Sequence, residues 1–405
     1  MLRLVDGHLR RSLPQAGVLR LLRVGSTGAC RPHRTASRNG HEERSLRANA
    51  QHNLRLYLQL SKHRLSALVM ATTSAGYLAA GGPVDILTLS CACVGTMLAS
   101  SSANTFNQVL ETSNDSRMKR TRNRPLPSGR ISRSHALGWG VASGAAGITI
   151  LAAGTNPLTA ALGAANLFLY IGPYTLSKTR SELNTWVGSI VGAVPPLMGW
   201  TAATGAAIAV EPLLLAAYLF VWQFPHFFSL AWLHREDYAR GGFAMVPCAD
   251  PTGSRTASLV VRYSWYLVPI PIAAAALDAT SWMFAVEGTA FNAYLLHHAY
   301  RFDEDKSNKN ARDVFKASLW HLPAVLALFV FHSRRWATDD DTQDEPLTSF
   351  IQRTRTRLRG ACLHEIVQKE DKAAFCPVVL AEELDAPKQV ATAATAKVDE
   401  ACVRT

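Results

Sequence analysis

The sequence predicts an all-α membrane protein, and three observations predict it. The 405 residues are 48% hydrophobic, yet mean hydropathy is only +0.04, so the apolar residues must be unevenly placed. They fall into nine runs between residues 62 and 333, most of roughly the 17–25 residues that a helix needs to cross a bilayer. Lys and Arg then gather in alternate inter-run loops, which is the asymmetry that orients spanning helices. A net charge of +12 on a soluble chain would raise nucleic-acid binding. Here the basic residues sit in an N-terminal tail and in short loops, so the partner expected is the lipid bilayer and not nucleic acid.

The nine runs are approximately 64–82, 86–110, 135–154, 157–177, 185–205, 211–233, 261–279, 281–300 and 314–332. The third is rich in small residues, as in Gly138 to Gly154, which let membrane helices approach closely. The fifth holds Pro195-Pro196 and is expected to kink, with freed backbone groups beside a cavity. Arg117, Lys119, Arg120, Arg122, Arg124, Arg130 and Arg133 follow run two; Lys178 and Arg180 follow run four; Arg235, Arg240 and Arg255 follow run six; Arg301, Lys306, Lys309 and Arg312 follow run eight. These loops share the inner side. Arg334-Arg335 after run nine dissent, since an odd number of spans puts them outside.

Residues 1–50 carry ten Arg against Asp6, Glu42 and Glu43, the Arg-rich, acid-poor composition of a mitochondrial transit segment. Residues 335–405 are polar and charged without a sustained apolar run and predict a poorly ordered tail. The seven Cys form no CxxC pair and no disulfide ladder,. Cys91-Ala92-Cys93 reads as two small thiols within a span, and Cys376-Pro377 resembles a short haem-sensing motif.

Chemistry concentrates at the ends of runs two and six. Asn107, Glu111 and Asp115 are spaced i, i+4, i+8, so each is rotated only about 40° from the last on an ideal helix. Two carboxylates and an amide oxygen at a membrane helix end need a hard cation or a counter-charge. The seven basic residues beside them suit a divalent metal holding a pyrophosphate, with positive-inside anchoring as the plain alternative. Run six ends in a mirror of this arrangement. His226 and Asp237 are eleven apart, about three turns, and share a face if the helix continues. Glu236 adds an oxygen ligand, and Arg235 and Arg240 add cations. Two acidic clusters on one membrane face can hold metal ions across a bridging diphosphate. A structural histidine bonded to a neighbouring helix explains His226 equally well. Between the clusters, Lys178 and Arg180 can take phosphate oxygens or act as anchors. Asn184 can line the cavity, and Tyr174 can stabilise a cation through its ring face or sit in an interfacial belt.

The motif NxxxExxxD followed by MKRTRNRPLPSGRIS, then YTxxKxRxxxNxxxGxxxGAxPPLxGW, then WQxPHFxxLAW with REDY, resembles the haem farnesyltransferases, the haem O synthases of the UbiA superfamily of intramembrane prenyltransferases. The likeness covers roughly residues 62–333. REDYxRGG and the SLWHLP of Ser318 to Pro323 resemble the mitochondrial form. The resemblance implies a nine-helix bundle, Mg²⁺ on farnesyl diphosphate, and haem b as the acceptor substrate. It also implies a matrix-facing site in the mitochondrial inner membrane and the haem A synthase acting next as a partner. Asn107, Glu111, Asp115 and Asp237, with Glu236, would then hold the metal. Lys119, Arg120, Arg124, Lys178, Arg180 and Arg235 would meet the diphosphate, and His226 or His321 the haem iron. Two departures matter. His226 with Asp237 replaces the DxxxD of quinone-pathway relatives, and Thr179 separates Lys178 from Arg180 where the family has adjacent Lys-Arg. A quinone-pathway prenyltransferase should carry that DxxxD. A multi-span ion carrier should carry mid-membrane charges. A helix-only assembly factor would not need intact acidic and basic sets.

Overall fold

The structure, a computed structural model, describes residues 51–205 and 209–337. The chain divides after Leu54; of the first unit only residues 51–54 are described, and they are helical. The expected transit segment, the tail beyond residue 337 and Cys376-Pro377 lie outside the described residues. From Arg55 onward the described residues carry helix over 55–60 and then nine longer helices. These are α1 (His63–Ala79), α2 (Ile86–Leu110), α3 (Arg133–Gly154), α4 (Pro157–Leu169), α5 (Asn184–Thr204), α6 (Val210–Leu233), α7 (Ser254–Leu267, continued by Pro269–Ala276), α8 (Trp282–Glu304) and α9 (Asn308–His332). Two short helices, Thr112–Arg117 and Arg235–Gly241, follow α2 and α6. No strand occurs among the described residues.

Side chains at the starts of several helices explain their boundaries. Asp85 accepts from the Leu87 and Thr88 amides at α2, Ser132 from His135 at α3, Asn156 from Thr159 at α4, and Ser307 from Asn310 at α9. Each satisfies an amide that a helix start leaves without a partner. Asp250 sets the start of α7: its carboxylate accepts from the Gly253 and Thr256 amides and the Thr256 hydroxyl. That cap is why α7 begins seven residues before the apolar run at 261. The cap at Ser307 likewise starts α9 six residues before its apolar run at 314.

Five of the helices are long and apolar enough to cross a membrane: α2, α3, α6, α7 with its continuation, and α9. The other four predicted spans are shorter or more polar. α1 has 17 residues and α4 has 13 before its geometry changes. α8 carries Asn292 with its side chain buried against other helices. Polarity inside such a bundle is tolerated where a neighbouring helix satisfies it.

The packing is of two kinds. α1 and α5 meet backbone to backbone: a Cβ at Gly76 would overlap the Pro196 carbonyl oxygen, and one at Gly199 the Thr73 carbonyl oxygen. α2 and α3 meet through Ser102 against Gly144 and Ala99 against Gly147. On the other side of the bundle, large side chains of α6 to α9 fill the core, among them Tyr218, Phe224, Phe228, Phe284 and Phe302.

The helices alternate in direction. At one end, Ser333 donates to the Ala79 carbonyl and pairs with Thr280. Arg335 pairs with Glu211 at 2.8 Å and Arg334 with Asp278 at 2.5 Å. The two dissenting arginines are thus neutralised by acids of their own face. The opposite end collects the loops after α2, α4, α6 and α8.

Candidate active site

Three cations converge on the first acidic motif at that basic end. Lys178 lies 2.9 Å from Glu111, Arg124 lies 2.6 Å from Asp115, and the Lys62 ammonium donates to Asn107 Oδ1 at 3.1 Å. Asn107, Glu111 and Asp115 are all buried. α2 ends at Leu110 and Glu111 is a hinge, yet the α-type bonding runs on: the Glu111 amide donates to Asn107 at 2.9 Å and the Asp115 amide to Glu111 at 2.8 Å. The i, i+4, i+8 alignment therefore survives a change of helix. Asp115 Oδ1 is buried with no hydrogen-bond partner. A carboxylate oxygen in that condition is costly unless something binds it. An amide oxygen and two carboxylates, one of them with a free oxygen, are hard donors that fit a divalent cation such as Mg²⁺,.

The segment after α4 supplies Lys178. Pro173 has no N–H to continue the α-ladder, and residues Tyr170–Tyr174 form a π-helical turn in which the Thr175 amide reaches back five residues to Tyr170. Such turns recur at functional sites. The Lys178 ammonium stands 4.4 Å from the Tyr174 ring centroid. The Tyr170 and Tyr174 rings meet edge-on at 5.0 Å, and the Tyr170 hydroxyl donates to Asn104 Oδ1. Burial works against a charged lysine here, but Tyr174 and Glu111 outweigh it and hold Lys178 protonated above its ordinary range. Burial, aided by Arg124 and Lys178, pulls Lys62 down to about 7.

The second motif arrives differently from its expected form. α6 does not continue: it ends at Leu233, and His234 (φ −117°, ψ 17°) breaks it before Arg235–Gly241. His226 and Asp237 consequently do not share one helical face. Asp237 accepts from the backbone amides of Lys119 at 3.0 Å and Arg120 at 3.3 Å, and it pairs with Arg240. Burial opposes its charge, but Arg240 and those two amides hold its carboxyl below the usual range. Asn114 adds a bond to the Gly241 carbonyl at 2.6 Å. The second motif thus clamps the basic loop of the first. Gly242, at φ +75°, turns the chain out of that short helix,. Glu236 is exposed and lies 3.9 Å from Arg240. Among the described residues no three His, Cys, Asp or Glu side chains converge as a metal cluster.

Of the other expected site residues, Asn184 ties the loops together, donating to the Ser181 and Ala244 carbonyls. Arg180 is exposed. Arg120 reaches the Tyr238 hydroxyl at 3.2 Å, and the Lys119 side chain is exposed. Arg235 stacks on Trp232 and bonds Asn308, away from the first motif. His226 bonds Ser318 at 2.9 Å and stacks on Trp222. His321 is buried, with Nε2 near Asn292 and Tyr218 and with Nδ1 unpartnered. Sequence reasoning passed over Lys62, Asn104 and Tyr170. A lysine at the foot of an apolar run is available as a signal, but nothing local distinguishes Lys62 from exposed Arg64.

Comparison with known proteins bears on the fold and the family. The profile of the UbiA prenyltransferase family matches residues 68–322. The protoheme IX farnesyltransferase, mitochondrial, of Arabidopsis thaliana is 44% identical over 294 residues, 72% of this chain and 68% of that one. The human protein of that name is 46% identical over 272 residues, 67% of this chain and 61% of its own. The chain thus spans less than two thirds of the human relative. Among solved structures, one from work on digeranylgeranylglyceryl phosphate synthase superposes with a TM-score of 0.59 at 14% identity, covering 70% of this chain and 99% of that one. A UbiA homolog from Archaeoglobus fulgidus bound to GPP and Mg²⁺ gives 0.53 at 15% identity, over 68% and 99%. These two establish the shared helical fold, and the profile with the identities establishes the kinship: the chain belongs to the UbiA prenyltransferase family.

Proposed function

We propose that this chain transfers the farnesyl group of farnesyl diphosphate to the 2-vinyl group of haem b, giving haem O. The observation that carries the reading is the buried Asn107/Glu111/Asp115 set, ringed by Lys62, Arg124 and Lys178. The names of the relatives support the choice of prenyl donor and acceptor. Asn107, Glu111 and Asp115 would hold Mg²⁺, which supplies Lewis-acid charge for a departing diphosphate. Lys178 and Arg124 neutralise the phosphoryl oxygens as the allylic C–O bond breaks and its electron pair leaves with diphosphate. The Tyr174 ring, with Lys178 over one face, would offer the other to the developing allylic cation,. The vinyl π-electrons then form the new C–C bond. Water adds to the resulting cation and loses a proton, leaving the hydroxyethylfarnesyl arm. Residues 1–50 would direct the chain to mitochondria. The basic end would face the matrix from the inner membrane, with haem A synthase next in sequence.

The chain expressed in a strain lacking the activity should restore haem O, seen by chromatography of extracted haems. Excess EDTA should abolish formation by the purified enzyme, and Mg²⁺ should restore it. No haem O from folded, membrane-inserted protein would sink the reading.

The Asp237 clamp gives a second test. Because Asp237 holds the Lys119–Arg120 backbone, Asp237→Asn should raise the KM for farnesyl diphosphate by about 10-fold, the loss of one charge-assisted contact. Its kcat should change less. A collapse of kcat at unchanged KM would instead make Asp237 a direct ligand of the reacting group.

A further inference from the structure

The turn that carries Lys62 is built with unusual care. Lys62 adopts a left-handed backbone (φ 44°, ψ 49°), a conformation unfavourable for a residue with a Cβ. Neighbouring side chains hold it there. Ser66 donates to the Ser61 carbonyl at 2.9 Å, and Asn104 Nδ2 reaches the same oxygen at 3.4 Å. Trp139 Nε1 donates to Ser61 Oγ at 3.3 Å, and Gln108 Nε2 to the Leu60 carbonyl at 2.7 Å. Three of these four residues come from helices other than α1. Strained backbone persists where its surroundings over-determine it, commonly at working sites.

The side chain it delivers points inward. A topology anchor extends its charged head toward water, and Arg64 is exposed in that way. Lys62 is half-buried and spends a hydrogen bond on Asn107 Oδ1. It therefore sits among Arg124, Lys178, Glu111 and Asp115. With Lys62 charged, three cations face two carboxylates there, one positive charge in excess before any metal is added. A divalent cation raises that excess to three. An anion bound among them offsets that excess, and a diphosphate carries the matching charge.

We propose that Lys62 is a third phosphate-binding cation of this site, taking a phosphoryl oxygen of the prenyl diphosphate alongside Arg124 and Lys178. The proposal rests on the prenyl-diphosphate reading above. Lys62 is presented from the turn before α1, so the diphosphate is grasped from three separate parts of the chain: that turn, the loop after α2 and the turn after α4.

Lys62→Gln preserves a donor for Asn107 and removes the charge; Lys62→Arg preserves the charge. Binding of inorganic pyrophosphate with Mg²⁺ is measured by calorimetry on the purified full chain in detergent, beside its thermal midpoint. Lys62→Gln should weaken pyrophosphate binding by about 10–100-fold with the midpoint within a few degrees of wild type. Lys62→Arg should recover most of the binding. Wild-type affinity in Lys62→Gln overturns the proposal, as does equal loss in both variants, which would mark Lys62 as a support of the turn alone. A wild-type chain that binds no Mg²⁺–pyrophosphate strikes instead at the prenyl-diphosphate reading itself.

Discussion

Asp115→Asn should lower haem O formation by about 10²–10³-fold, the scale of losing one group that stabilises developing charge. The substitution keeps the shape and removes the charge. Asp115 is fully buried, one oxygen is held by Arg124 at 2.6 Å, and the other has no hydrogen-bond partner. The second oxygen is the one free to meet a hard cation, and an amide is a much poorer ligand for it. Folding should suffer less than turnover, because Arg124 is 26% exposed and can turn to water when its partner is neutral. Purified Asp115→Asn that makes haem O at near the wild-type rate would overturn the assignment of the metal-holding set. Loss of membrane insertion in step with activity would make Asp115 a folding residue.

Lys178→Met should be more damaging still, because it acts on two levels. Lys178 is buried, paired with Glu111 at 2.9 Å and seated over the Tyr174 ring at 4.4 Å. Removing one partner of a buried ion pair leaves an uncompensated charge and costs about 3–5 kcal/mol. A double variant separates stability from chemistry. Glu111→Gln with Lys178→Met removes both charges and should regain most of the thermal midpoint that Lys178→Met loses. It should remain inactive, since it lacks both a metal-holding oxygen and a phosphate-holding cation. Recovery of turnover together with stability would show that the pair serves the fold alone. A single Lys178→Met variant with unchanged stability and activity would show that the pair serves neither.

Much of the fold was legible because five of the nine helices announce themselves as spans by length and composition. The nine runs, the alternation of basic loops and the small-residue packing of α2 on α3 all follow from hydropathy and charge. Helix starts were less legible. Asp250 and Ser307 begin α7 and α9 ahead of their apolar runs, because a cap acts through hydrogen bonds that hydropathy does not register. The first half of the site was legible from spacing, since the i, i+4, i+8 bonds persist through the hinge at Glu111. The second half was not. The relation between His226 and Asp237 assumed an unbroken helix, and His234 breaks it. Asp237 then finds its partners in backbone amides more than a hundred residues away in sequence. A backbone amide has no identity in a sequence, so no motif could have named that contact. Lys62 was hidden for a related reason: its direction is set by Ser66, Asn104, Gln108 and Trp139 together.

The π-helical turn at Tyr170–Tyr174 makes the winding of that segment as important as its composition. A π-turn holds one residue more than the α-helix it interrupts, and each residue of an α-helix turns the chain by about 100°. The same residues wound as plain α-helix would swing Lys178 by about that angle away from Glu111. Every side chain of the site would still be encoded, and the cation would face the wrong way. In this stretch the π-turn around Pro173 is therefore itself part of the site's specification,.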